Sequence, residues 1–255
     1  MYTFLICFLA GAGAGLGTGF AGMSAAAVIS PMLITFLHLP AYEAVGIALA
    51  SDVLASAVSA WVYHRNKNLD VRGGLVMMAA VLLFTLAGSW LASLVPNQTM
   101  GSFSVFMTLL LGIKFILRPV MATKEAMAGV SQRRRLVRSA MCGVMVGLIC
   151  GFVGAGGGMM MLLVLTSVLG YELKTAVGTS VFIMAFTAFT GAASHFAIGG
   201  MSDLLCLCLC VVSTLLWARI AAKLANRASA AALNRATGVI LVLLGTVILG
   251  VNALT

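Results

Sequence analysis

A single aspartate, Asp52, stands about halfway along an apolar stretch that runs from about residue 42 to 63. An ionised carboxylate placed there costs about 2.5–3.5 kcal/mol on membrane-insertion scales, so it calls for a role or a partner. Two roles fit: a proton or cation coupling site, or a structural hydrogen bond to a nearby serine or threonine. His195, near the end of a later apolar stretch, is the second titratable group assigned to coupling, because imidazole changes charge near neutral pH. Two glycine-bearing joints complete the set, one at Gly22 to Ala25 with Ser24 inside it, the other at Gly154-Ala155-Gly156-Gly157-Gly158. Glycine lets a backbone approach a ligand, and the unpaired amides of a helix N-terminus hold an anion without a buried lysine. The hydroxyls of Ser51, Thr179 and Ser180 supply further groups for lining such a site, although serine and threonine also bond back to their own helix. An ionised aspartate facing an anion would repel it, so if such joints hold an anion, a protonation switch at Asp52 is the mechanism to test.

Other residue patterns carry less. Cys206, Cys208 and Cys210 superficially resemble a metal motif, but a helix puts Cys208 opposite the other two, and small packing residues are the reading that fits. Met159-Met160-Met161 faces three directions on a helix and reads as packing. His38 and His64 fall near helix ends, and Lys114 and Arg118 read as snorkelling side chains. No HExxH, no paired carboxylates and no nucleophile–base spacing occur, and no Gly-Lys-Ser/Thr follows the glycine run, so neither an intramembrane enzyme nor a P-loop is indicated. No cofactor and no metal ligand set is expected; an intramembrane enzyme or a metal or cation permease built on Cys and His, and an ion channel, stay open as rival classes.

The elements that must position these groups follow from composition. Of 255 residues, 62% are hydrophobic and 8% charged, and the mean hydropathy is +1.14, a balance that excludes a soluble domain. The net charge of +9 sits in clusters between apolar segments and reads as a topology signal, not as a nucleic-acid surface. Ten apolar segments are expected, at about 3–21, 25–39, 42–63, 73–95, 101–117, 139–153, 158–170, 174–198, 204–222 and 235–254. Breakers separate them: Pro40, the stretch Arg65 to Asp70, Pro96-Asn97, Pro119, Gly199-Gly200, and Asn226 to Asn234. The start Met1-Tyr2-Thr3 lacks the basic region of a signal peptide, so the first segment is expected to be retained. The six cysteines all lie in apolar stretches, and no disulfide is expected.

Counting each segment as one pass puts Arg65, Lys67, Arg72, Lys124, Arg133, Arg134, Arg135, Arg138, Lys174, Arg219, Lys223, Arg227 and Arg235 on one side. The positive-inside rule makes that side cytoplasmic and both termini outside. Residues 118–138 then form a basic cytoplasmic linker between a first transmembrane repeat, 1–117, and a second, 139–255. Sliding the chain by 132 positions lays Gly11, Gly15, Gly19, Phe20 and Gly22 on Gly143, Gly147, Gly151, Phe152 and Gly154, and Ala44-Val45-Gly46 on Ala176-Val177-Gly178. Five segments per repeat make the copies inverted, an architecture of secondary transporters. Short segments flanking a glycine-bearing joint, in matching places of two halves, predict broken or re-entrant helices meeting near mid-membrane.

With those residues on the page, the chain resembles the sulfite exporter TauE/SafE family, also called the 4-toluene sulfonate uptake permease family, over nearly its whole length. The resemblance is carried by Gly151-Phe152-Val153-Gly154-Ala155-Gly156-Gly157-Gly158, by Ala176-Val177-Gly178-Thr179-Ser180, and by Gly191, His195, Gly199 and Asp203. Pro31 keeps the proline that follows the family's glycine cluster in the first half, whereas Leu163 replaces it in the second. The resemblance implies a bacterial inner-membrane permease, not an enzyme, for small anions such as sulfite, organosulfonates or carboxylates. Export is the direction expected, with proton-coupled uptake as the alternative. Its partners are then a small anionic substrate, membrane lipid, and protons or cations as coupling ion; nucleic acid is excluded, and a homodimer is compatible with the sequence.

Overall fold

Long runs of apolar side chains favour helices, whose backbone hydrogen bonds close within one segment and so need no water. The computed structural model describes residues 1–92, 131–153, 157–199 and 203–254, with 109, 113, 114, 116 and 117 from the stretch between, and among the described residues it holds nine helices and no strand. These are α1 (Tyr2–Ala21), α2 (Ala26–Leu37), α3 (Ala41–Arg65), α4 (Val71–Ala92), α5 (Gln132–Val153), α6 (Gly157–Ser167), α7 (Leu173–Gly199), α8 (Leu204–Arg227) and α9 (Ala230–Leu254). Five of them contain spans long and apolar enough to cross a membrane: Tyr2–Ala21, Glu43–Arg65, Leu173–Ala193, Leu204–Arg227 and Ala230–Val247. The chain is an all-α, multi-pass membrane protein.

Two boundaries differ from expectation. α5 begins at Gln132, so Arg133, Arg134, Arg135 and Arg138 lie in its first turns; arginine is a good helix former, and nothing between 132 and 139 breaks the run. The joint expected over Asn226 to Asn234 contracts to Ala228 and Ser229. Asn226 and Asn234 stay helical by donating their side-chain amides to the carbonyls of Ala222 and Ala230, one turn back, each at 2.8 Å. The segment expected at 101–117 lies almost wholly outside the described residues.

α2 and α6 are short, at 12 and 11 residues. At 1.5 Å per residue they reach about 18 and 17 Å, against a hydrocarbon core of about 30 Å. α1 stops at Gly22, whose φ of 61° is the left-handed conformation that glycine adopts without strain. The Gly22 amide donates to Thr18 O at 3.0 Å and the Met23 amide to Gly17 O at 3.2 Å, closing the helix end. α4 is capped by Asp70, whose Oδ1 accepts from Gly73 N at 3.0 Å, and α8 by Asp203, whose Oδ1 accepts from Cys206 N at 2.9 Å.

The glycine stripes set which helices pack. On α1, a Cβ atom added to Gly11 would come 2.7 Å from Ser213 Cβ, and one on Gly15 2.6 Å from Thr214 O, while Gly19 lies against Ala221. α1 therefore lies flush and parallel on α8. On α5, a Cβ on Gly143 would meet Met77 O at 2.7 Å and one on Gly147 would meet Val81 O at 2.7 Å, so α5 lies parallel on α4. α3 and α7 pack antiparallel: Gly178 lies beside Tyr63 and Asn68, and Gly191 beside Leu49. Exchanging the first four helices for the next four converts the first pairing into the second and returns the third to itself. These orientations gather Arg65, Arg72, Arg138, Lys174, Arg227 and Arg235 at one basic end of the bundle. A third of the α8 span is buried against 61% of the α1 span, so α1 is central and α8 turns Leu204, Val212, Leu216, Ile220 and Leu224 outward toward lipid.

Because the atoms facing Gly15 are α8 backbone and the Cβ of Trp217, which is fixed to that backbone, nothing can move aside for a larger residue. Gly15→Leu is expected to cost about 3 kcal/mol and lower the melting temperature by about 6–12 °C in a fluorescence-detected thermal shift. Gly250, which has open space around its Cβ position, is the matched control, and Gly250→Leu should not lower the melting temperature.

Candidate functional site

Asp52 is the twelfth of the 25 residues of α3 and is 1% exposed. Its carboxylate accepts from two serines, one on each oxygen. Ser24 Oγ donates to Oδ2 at 2.5 Å, Ser56 Oγ donates to Oδ1 at 2.8 Å, and the Ala25 amide also bonds the carboxylate. Ser24 and Ala25 belong to the joint between α1 and α2, and Ser24 Oγ also accepts from Ala26 N at 3.3 Å. The first amides of α2 are met by Ser24 and Ala25, Ala26 N by Ser24 Oγ and Ala27 N by Ser24 O at 3.2 Å, and the carboxylate that Ser24 holds stands beside that helix N-terminus, where an anion is favoured.

The second joint meets the first. A Cβ on Gly158, at the start of α6, would come 2.8 Å from Gly22 O and 2.9 Å from Ser24 N, so the two joints touch through bare backbone. Ser180 of α7 bridges them: its hydroxyl lies 3.2 Å from Gly22 O and 3.4 Å from Gly158 O, and it is fully buried. The residue 132 positions beyond Asp52 is Met184, and it occupies the corresponding place beside α6. Its sulfur lies 3.8 Å from Ser180 Oγ and would be 2.5 Å from a Cβ on Gly158. One joint therefore faces a carboxylate and the other a thioether.

Of the residues singled out from sequence, Gly22, Ser24, Asp52, Gly158 and Ser180 come together, and Gly157 opens α6 beside them. Gly154 and Gly156 lie outside the described residues. So does the side chain of His195, whose backbone is part of α7. Ser51 is buried and donates to Ile47 O within its own helix at 2.9 Å. Thr179, one residue from Ser180, points elsewhere, its hydroxyl accepting from Asp70 N at 3.2 Å. Ser56 and Met184 are the members that sequence reasoning missed. Ser56 was signalled by its place one helical turn beyond Asp52, and Met184 by the repeat register.

Between the joints and the basic end lies a second polar layer. Tyr63 OH donates to Gly19 O at 2.9 Å, Tyr171 OH to Asp70 Oδ2 at 2.7 Å, Asn68 Nδ2 to Asn226 Oδ1 at 2.6 Å, and Lys174 Nζ to Asn226 O at 3.0 Å. These bonds tie α3 to α1, the α3–α4 turn to α8 and to the segment before α7, and α7 to α8. Away from both layers, Cys206 and Cys210 are buried against Cys7, while Cys208 is exposed.

The chain matches the family described as Sulfite exporter TauE/SafE over residues 7–248. It is 24% identical over 226 residues to "Probable membrane transporter protein YdhB" of Bacillus subtilis (strain 168), covering 89% of this chain and 90% of that one. It is also 24% identical over 218 residues to "Probable membrane transporter protein YunE" of the same organism, covering 80% of each. With two half-helices meeting at mid-bundle and a family match that spans nearly every described helix, the chain belongs to the TauE/SafE sulfite exporter family of membrane transporters.

Proposed function

We propose that this permease carries small organic or inorganic anions, such as sulfite, organosulfonates or carboxylates, by alternating access between two inverted halves, 1–117 and 139–255, in the export direction. The observation that carries this reading is the unequal content of the two joints. Beside α2 the carboxylate of Asp52 is held by Ser24 of the joint, whereas the residue in the matching place beside α6 is the neutral Met184. An anion from solution is repelled at the first joint and welcomed at the second, where Gly157, Gly158 and Ser180 contribute bare backbone and a hydroxyl. Ser180, which touches both joints, transmits occupation of one to the other.

The parallel packing of α1 on α8 and of α5 on α4, with α3 and α7 antiparallel between them, supports the inverted relation of the halves. On the positive-inside rule the basic end is cytoplasmic and both termini are outside, in a bacterial inner membrane. The inside-negative potential then favours exit of a monoanion by about 2.3 kcal/mol per 100 mV. The polar layer of Tyr63, Asn68, Asp70, Tyr171 and Asn226 closes the cytoplasmic side and must part for substrate to enter from within.

A second reading, proton-coupled uptake, is favoured by one observation: export driven by potential alone gives a fully buried carboxylate beside the anion path nothing to do. The test for both is flux into and out of proteoliposomes offered sulfite, an organosulfonate or acetate, under an imposed potential or an imposed pH gradient. Saturable, selective, potential-driven efflux is expected. A flux that rises linearly with concentration without saturating would indicate a channel, and no flux of any of the three would remove the anion assignment.

A further inference from the structure

At the basic end, α3 and α8 leave between their last turns a cavity of about 250 Å³, lined by Trp61, Arg65, Asn66, Arg219, Lys223 and Arg227. Arg219, Lys223 and Arg227 recur every four residues and form one exposed stripe along α8. Trp61 and Arg65 lie one turn apart on α3, with the guanidinium carbon of Arg65 4.4 Å from the indole centroid. The carboxylates among the described residues are elsewhere. Glu43 and Asp203 stand at the opposite ends of α3 and α8, Asp52 is at mid-bundle, Asp70 caps α4, and Glu172 meets Thr175. Cations near helix C-termini do answer the carbonyl pole there. Four cations converging on one cleft with no carboxylate lining it exceed that need and make a strongly positive hollow.

The cleft also has an apolar flank. Beside the basic stripe runs a second stripe, Leu216, Ile220 and Leu224, exposed by 55, 45 and 52% on a helix whose outer face meets hydrocarbon. Indole, guanidinium forks and an ammonium at the boundary, with aliphatic surface on the membrane side, form an amphipathic seat of the kind that takes a phosphodiester above acyl chains. We propose that this cleft binds the headgroup of an anionic phospholipid, its phosphate held by Arg65, Arg219, Lys223 and Arg227 and its chains lying along Leu216, Ile220 and Leu224. The site is separate from the joints and involves none of the residues assigned to substrate.

The test is a titration of the purified full-length protein in detergent with phosphatidylglycerol, phosphatidylcholine and inorganic phosphate, the bound lipid being counted by native mass spectrometry. Phosphatidylglycerol is expected to bind and phosphatidylcholine not to compete. Lys223→Gln alone is expected to weaken binding about fivefold, and Arg219→Gln/Lys223→Gln/Arg227→Gln together about 100-fold. Arg133→Gln/Arg134→Gln/Arg135→Gln, which removes the same charge from α5, should leave binding within about twofold. Equal losses from the two triple variants would reduce the effect to net charge, and no loss from the α8 variant would remove the site; either result overturns the proposal. Displacement of the lipid by millimolar phosphate would overturn it too, reassigning the cleft to a soluble anion.

Discussion

Asp52→Asn is expected to leave the protein folded and to abolish the response of anion flux to pH. The shape is kept, and an asparagine oxygen still accepts from one serine while its amide donates to the other. What is lost is the exchange between two hydrogen-bonding states. An ionised Asp52 only accepts, from Ser24, Ser56 and the Ala25 amide. A proton added to one oxygen makes that oxygen a donor, so the serine bonded to it must turn and accept. Ser24 is the serine that belongs to the joint, and it already accepts from Ala26 N. Protonation therefore rewrites the bond between α3 and the first joint, which touches the second joint through Gly22 and Gly158. On the proton-coupled reading, in which one proton travels with each anion, wild-type proteoliposomes carrying a one-unit pH gradient accumulate a monoanion about tenfold, since one pH unit is worth about 1.4 kcal/mol, whereas on the export reading the gradient drives no accumulation. The asparagine variant should accumulate none, while still exchanging labelled for unlabelled anion at zero gradient. Were the wild-type protein to ignore the pH gradient yet respond to potential, Asp52 would be a clamp on the first joint and the uptake reading would fall.

How far the sequence anticipates this arrangement depends on the kind of information each residue carries. A lone carboxylate in an apolar run is conspicuous because nothing else in the run tolerates its charge, so Asp52 is legible from type alone. Glycines four apart announce a bare helix face, and Gly11, Gly15 and Gly19 do form one. The partner of that face is not legible: Gly11 meets Ser213, some two hundred positions away, and only tertiary packing brings them together. Hydroxyls are ambiguous for a different reason. Ser51, Ser56, Thr179 and Ser180 look alike in sequence, but successive helical residues point about 100° apart. Ser180 faces the joints while Thr179 faces the Asp70 amide, and Ser51 turns back on its own helix while Ser56 reaches Asp52. The start of α5 is not legible because a cluster of arginines reads as loop by charge, though by propensity it is helix.

The repeat register is more informative about differences than about likenesses. Glycine matches between the halves explain why the same packing is built twice, and packing is indifferent to what the joints hold. Anion transport of the kind proposed is not indifferent: two joints that both carried carboxylates would leave no place for an anion, and two that carried none would leave no group to take up a proton. The pairing of Asp52 with Met184 supplies one of each.

Met184→Asp is accordingly expected to abolish transport. A carboxylate placed there faces the start of α6 as Asp52 faces the start of α2, and it offers those amides an anion that never leaves. A substrate anion approaching to about 4 Å would meet a repulsion of about 4 kcal/mol at an effective dielectric constant of about 20, a loss of several hundredfold in affinity. Saturable flux should fall below detection in proteoliposomes, with the melting temperature reported alongside to separate lost function from lost fold. Met184→Leu keeps the volume without charge and should retain flux within about threefold, since aliphatic swaps of similar size are well tolerated. Full activity in Met184→Asp would place the substrate away from the second joint. The exchange variant Asp52→Met/Met184→Asp carries the argument one step further. If the two halves are interchangeable in mechanism, moving the carboxylate from one joint to the other restores flux that Met184→Asp alone has lost, because one joint is again neutral. If flux stays absent, the residues flanking each joint, Ser24 and Ser56 in the first half against Gly156 and Ala188 in the second, fix which half receives the anion and which receives the proton.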